Sequence, residues 1–237
     1  MNASSDAPRL TVAGMREGVR LTLPMLPGVV LMSAAFGTVA AQKGLTLFEA
    51  ALMSGLMFAG ASQLVALEVW PTVWTFGAVL TLALVTATVN MRYLLMGAAL
   101  RPWLGPGPAW QSYVALLTTV DANWIVAMRY RGDGGSDTGV ILGSGAVLWL
   151  FWVAGTFPGH LLGALVNDPR RLGLDLVLPI FFAAMLVPLW RGPRRGAAWV
   201  IAGAVALLTA HLVPGYWFIM AGAIAGSVAG GFLDDGR

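Results

Sequence analysis

Eight polar side chains interrupt stretches that are otherwise almost wholly apolar: Gln63, Asn90, Arg92, Asp121, Asn123, His160, Asp175 and His211. In hydrocarbon each such group is costly unless a partner, an aqueous cavity or a task justifies it. Asp121 suits either a carboxyl that exchanges protons or a counter-charge for a substrate ammonium; the plainer alternative is an acid at a helix end touching interfacial water. His160 is a second candidate for carrying protons. Arg92 is either an interior cation or a side chain that snorkels to the interface. Asn90 and Arg92 stand about 200° apart around a regular helix, so both face one cavity only where the helix is locally unwound. No phosphate-binding loop, glycine-rich nucleotide fingerprint or Ser-His-acid signature is present, and two distant histidines make no convincing metal site. The chain is therefore expected to be neither an enzyme nor the holder of a cofactor or metal.

The elements that must position these groups are set by hydropathy. The 237 residues are 58% apolar and 11% charged, against roughly a quarter charged in a soluble domain. Apolar blocks fall at 19–41, 47–70, 72–100, 110–128, 139–166, 174–190, 196–213 and 216–232. A spanning helix uses about 20 residues, so the expected fold is an all-α, polytopic membrane bundle over 1–237, a single transmembrane domain. It has eight crossings, or seven if the broken first block or the short last one fails to cross, with residues 1–17 as a cytoplasmic N-terminal segment. With both termini inside, Arg9, Arg16, Arg20, Arg129, Arg131, Arg191, Arg194, Arg195 and Arg237 lie on the cytoplasmic side and only Lys43, Arg101, Arg170 and Arg171 outside, which satisfies the positive-inside rule. The formal charge of +3 forms no single patch, so no nucleic-acid partner is expected.

Several positions promise discontinuous helices. Pro24, Pro27 and Gly28 remove backbone donors and add flexibility within one turn; Pro158 and Pro179 threaten later blocks. Freed carbonyls within a bilayer must face protein or a water-filled cavity, a recurrent device of transporters. The likeness of Leu21-Thr22-Leu23-Pro24 to Leu176-Val177-Leu178-Pro179, five crossings apart, suggests inverted repeats. Gly55, Ala59, Ser62 and Ala66 form a smooth packing ridge, and Trp149, Trp152, Thr156 and His160 a stripe that would wall a cavity. Gly222, Gly226 and Gly230 would close-pack on a partner subunit or on another helix of the same chain.

Five motifs carry a resemblance: Phe58-Ala59-Gly60-Ala61-Ser62-Gln63, Asn90-Met91-Arg92-Tyr93, Asp121, Trp149 through Gly159, and Leu172-Gly173-Leu174-Asp175 running into Pro179. In these the chain resembles the AzlC family of branched-chain amino acid permeases, from about Gly18 to Gly231. The resemblance implies a plasma-membrane exporter of valine, leucine, isoleucine or similar amino acids, working with a small membrane subunit of the AzlD type; a higher oligomer stays open. Two segments depart from the family pattern. Ala122 follows Asp121 where members often carry an acidic pair, and Tyr93 stands where a histidine often follows the arginine. Both changes bear on proton coupling and substrate choice.

On that reading the substrate carboxylate meets backbone donors at a broken helix or Arg92, and its ammonium meets Asp121 with Gln63 or Asn90 nearby. Phe36, Trp152 and Phe157 line the side-chain pocket, and a proton or ion gradient supplies the energy. The competing readings are the permease subunit of an ATP-driven importer and a membrane scaffold that transports nothing.

Overall fold

A computed structural model of the chain describes residues 10–163, 165, 176, 183, 187, 190, 192–213 and 217–233. The fold is all-helical, and among the described residues no strand forms. The helices are α1 (Val12–Thr22), α2 (Leu26–Gln42), α3 (Leu47–Met57), α4 (Gly60–Glu68), α5 (Phe76–Asn90), α6 (Arg92–Leu104), α7 (Ala109–Leu117), α8 (Asp121–Gly132), α9 (Gly139–Gly163), α10 (Pro193–Leu212) and α11 (Trp217–Leu233). Among the described residues three runs are long and apolar enough to cross a membrane: Val12–Gln42, Phe76–Leu104 and Gly139–Gly163. The chain is a helical membrane protein.

The proline-rich start of the first run is far less disruptive than its sequence suggests. Leu23–Met25 form a single 3-10 turn, and the backbone stays right-handed helical on both sides. Pro24 and Pro27 each fall in the first turn of a helical segment, where the amide they lack has no intrahelical partner anyway. Gly28 faces open space. The helix already begins at Val12, so it takes in much of the segment expected to precede the first crossing. Pro158 does not break α9 at all. Its ring lies on the exposed side while Gly155, Thr156 and Gly159 press on α2, so packing on the opposite face holds the helix straight through the lost hydrogen bond. Pro179, Asp175 and the second copy of the suggested repeat lie outside the described residues.

A glycine seam joins the first run to α9. A Cβ at Gly143 would overlap the carbonyl oxygen of Met15, one at Gly159 that of Ala34, and one at Gly163 the backbone of Thr38. From the other side, Gly18 meets Val140 and Gly37 meets Thr156. Contacts advance along both helices together, so the two run parallel, as alternating crossings require of blocks one and five. At the start of α9, Asp137 accepts hydrogen bonds from the amide and hydroxyl of Thr11 and from the amide of Gly139, 2.8 Å away, pinning both helix starts. Gly222 and Gly226 seat on Ala202 and Ala206 of α10, so this motif packs within the chain.

The seam predicts an asymmetry between two small substitutions. Gly143→Ala should lower the melting temperature in detergent, with a cost of about 1–3 kcal/mol for overpacking. Gly28→Ala should leave it unchanged or slightly raised. Equal responses would remove the seam's claim to hold the fold.

Candidate functional site

Two helices are parted in mid-course, and neither break involves a proline. Between α3 and α4, Phe58 takes φ +34° and ψ +50°, a left-handed conformation, and Ala59 follows at φ −142° before α4 opens at Gly60. A bulky residue held there stores about 1–3 kcal/mol of strain. Between α7 and α8, residues Thr118 to Val120 leave the helix and Val120 is fully extended before α8 opens at Asp121. Each parting releases carbonyls from one half and amides from the other.

Side chains take up part of that demand. The indole Nε1–H of Trp149 donates to the carbonyl of Gly55, 2.9 Å away, at the end of α3. Asn123, fully buried, bridges the other break: its Oδ1 accepts from the amide of Val120 at 2.7 Å and its Nδ2 donates to the carbonyl of Thr118 at 2.9 Å. Two more contacts fasten α3 and the turn that leads into it. Ser54 and Thr156 share a buried hydrogen bond of 2.8 Å, and the Nε2 of His160 bonds the carbonyl of Leu45 at 2.8 Å. Gly145 lets Thr118 lie directly on α9.

Both breaks border one cavity of about 40 Å³, closed by α2, α6 and α9. Val29, Met32, Phe58 and Leu148 supply apolar wall. Gly60 and Ala61 present the opening of α4, Asp121 and Ala122 that of α8, and Tyr93 and Trp152 complete the lining. The carboxylate of Asp121 is ion-paired with Arg92 at 3.0 Å; their side chains are 22% and 26% exposed. The guanidinium of Arg92 also lies 5.2 Å from the ring centre of Tyr93, a cation–π distance. The Tyr93 hydroxyl and the Trp152 Nε1–H are buried without a hydrogen-bond partner. Among the described residues no group of three His, Asp or Glu side chains gathers that could hold a metal.

Several expectations change on this geometry. Asp121 is not a solitary acid, and Arg92 does not snorkel outward: they are each other's partners. The Gly55-to-Ala66 ridge is cut at Phe58, so it is not one continuous seam. Phe157 is 41% exposed and points away from the cavity. Phe36 is fully buried but stands behind the lining, its ring 6.4 Å from that of Trp152. Gln63 lies one turn into α4, wholly buried with both amide atoms unpartnered, and the Oδ1 of Asn90 is likewise unpartnered; neither borders the cavity. Of the α9 stripe, only Trp152 walls the cavity, while Trp149 and Thr156 tether α3 and His160 the turn before it. Phe58, Gly60 and Tyr93 enter as lining residues that sequence reasoning did not single out as binding groups. The aromatic-alanine-glycine step and the Thr-Thr-Val-Asp helix start were the available signals.

Comparison with known proteins agrees with the membrane fold. An uncharacterized membrane protein of Archaeoglobus fulgidus is 27% identical over 222 residues, covering 93% of this chain and 95% of the relative. The branched-chain amino acid transport protein AzlC of Bacillus subtilis is 24% identical over 187 residues, 77% of this chain and 70% of that protein. No solved structure matches. The family model described as AzlC protein matches residues 24–166, which contain both helix breaks, Arg92 and Asp121. With more than half of its length matched, this chain belongs to the AzlC family.

Proposed function

We propose that this chain exports branched-chain amino acids of the valine, leucine and isoleucine type across the plasma membrane. It acts as a secondary carrier driven by a proton or ion gradient, with both termini cytoplasmic and a small membrane subunit of the AzlD type as its partner. The observation that carries the reading is the cavity at the meeting of two parted helices with an ion-paired carboxylate in its wall. The Bacillus subtilis relative named for branched-chain amino acid transport supplies the substrate class.

The chemistry follows from the residues. The substrate ammonium competes with Arg92 for Asp121, and the branched side chain lies against Val29, Met32, Phe58 and Leu148. A cavity of about 40 Å³ takes only a few water-sized groups, so a whole amino acid must spread the surrounding helix halves, and the two breaks supply the hinges. A proton and an ammonium cannot occupy the same carboxylate together. Asp121 therefore exchanges one for the other, and the gradient drives net export. Arg92 covers the carboxylate between visits and suppresses leak. Gln63 and Asn90 are held near the ends of the moving halves as polar groups that an opened site can engage.

Purified protein with its partner in proteoliposomes should move leucine, isoleucine and valine when a gradient is imposed. Asp121→Asn should abolish gradient-driven flux while sparing exchange; unchanged coupled flux in that variant counts against the proton role. Silence of the wild type with its partner removes the carrier reading. The ion pair yields a separate expectation. Arg92→Ala and Asp121→Ala should each destabilise the protein, the double variant should recover an interaction energy of about 1–3 kcal/mol, and transport should stay lost in all three. Strictly additive losses would mean the pair does not couple the helices.

A further inference from the structure

The nine-residue α4 begins inside the cavity with nothing to cap it. Its N-cap residue is Ala59, which offers no side-chain acceptor, and Gly60 and Ala61 line the space. The amide of Gln63 is the first in the helix to bond back, to Ala59 at 2.9 Å. The amides of Gly60, Ala61 and Ser62 have no intrahelical acceptor, and the helix dipole adds positive potential at that end. The start of α8 is different. Asn123 accepts the Val120 amide, and Asp121 places a carboxylate in the first turn.

A second observation stands beside the first. Trp152 is only 5% exposed, lines the same cavity, and its buried Nε1–H has no acceptor. An indole nitrogen donates and cannot accept. Its ring rests so close to Gly60 that a Cβ there would overlap the indole. Orphan donors of a helix end and of an indole thus belong to residues that border one cavity, with the benzo edge of the indole against Gly60, and an acceptor is the group that satisfies both. In the empty site Arg92 is paired with Asp121 at 3.0 Å and is not among the residues that line the cavity.

We propose that the carboxylate of the substrate docks on the N-terminus of α4 and the indole N–H of Trp152, while its ammonium faces Asp121 on the other side of the cavity. This rests on the amino acid carrier reading and adds the polarity of binding: the site recognises a zwitterion end to end. A branched amine without a carboxylate leaves the α4 end and the indole unsatisfied. A branched acid without an amine leaves Asp121 to Arg92.

Titration of the full-length purified protein with three probes tests this: L-leucine, 4-methylpentanoate and 3-methylbutylamine. Trp152→Phe keeps the ring and deletes the donor. It should weaken leucine and 4-methylpentanoate about tenfold or more, the scale of a charge-assisted hydrogen bond, and leave 3-methylbutylamine within about twofold. Gly60→Ala, whose methyl displaces the indole, should reproduce that pattern, with melting temperature confirming the fold in both variants. Asp121→Asn should show the reverse selectivity between the acid and the amine. Unchanged leucine affinity in both Trp152→Phe and Gly60→Ala overturns the docking mode and leaves the carrier reading intact, as does equal loss of all three probes. Failure of the wild type to bind any of them overturns both.

Discussion

A backbone parted within a bilayer must find partners for every amide and carbonyl it releases, because lipid offers none. That constraint organises this molecule. At the α3–α4 break the released carbonyl of Gly55 is met by Trp149, and at the α7–α8 break Asn123 serves both an amide and a carbonyl. The amides at the start of α4 are the part of this demand that no side chain cap meets, and they open onto the cavity. Satisfied groups hold the helices where they are cut, and the uncapped end of α4 is the part of the break left open to the cavity.

The parallel pair of α1–α2 and α9 is the frame against which the cut helices are held. Glycines bring these backbones into contact, which secures dispersion attraction along the whole seam where no hydrophobic force operates between helices in lipid. From α9 two polar contacts reach α3, through Trp149 and Thr156, and a third, through His160, reaches the turn just before it. Its continuation α4 packs mainly on α2 and α5 and meets α9 through Trp152 at Gly60. The two halves of one crossing thus have different anchors, and Phe58, strained at positive φ, sits at the joint. A cavity smaller than an amino acid is compatible with binding because its wall is built on such a joint.

Much of this was legible in the sequence. The membrane class follows from composition, and the chemistry-bearing residues Arg92 and Asp121 stand out because charge in an apolar block is expensive. Their pairing was hidden, since nothing in one sequence states that positions 92 and 121 meet. The helix breaks were misplaced for a physical reason: proline announces a break loudly, yet Pro24, Pro27 and Pro158 sit at first-turn or outward-facing positions where the lost amide costs little. Among the described residues the mid-helix breaks fall at Phe58–Ala59 and Thr118–Val120, where no residue forbids a helix. There tertiary partners, Trp149 on one side and Asn123 on the other, make the non-helical backbone affordable. Trp152 was picked out, but its unpartnered nitrogen becomes visible only with coordinates.

The ion pair also bears on the energetics of the carrier cycle proposed above, in which Asp121 carries the coupling proton. A site holding a bare Asp121 would carry net charge across the membrane potential each time it reorients empty, at about 2.3 kcal/mol per elementary charge per 100 mV. Paired with Arg92 at 3.0 Å, the empty site is neutral. A zwitterion adds no net charge when it enters, so the filled site is neutral too. The potential then acts only on the coupling ion, while the closed Arg92–Asp121 pair holds the empty, unprotonated site from reorienting, as the proposed exchange requires. For Asp121 to accept a proton, Arg92 must lose its counter-charge, which ties protonation to a rearrangement of α6 against α8. The residue that neutralises the empty site is therefore also the one that links a proton to helix movement.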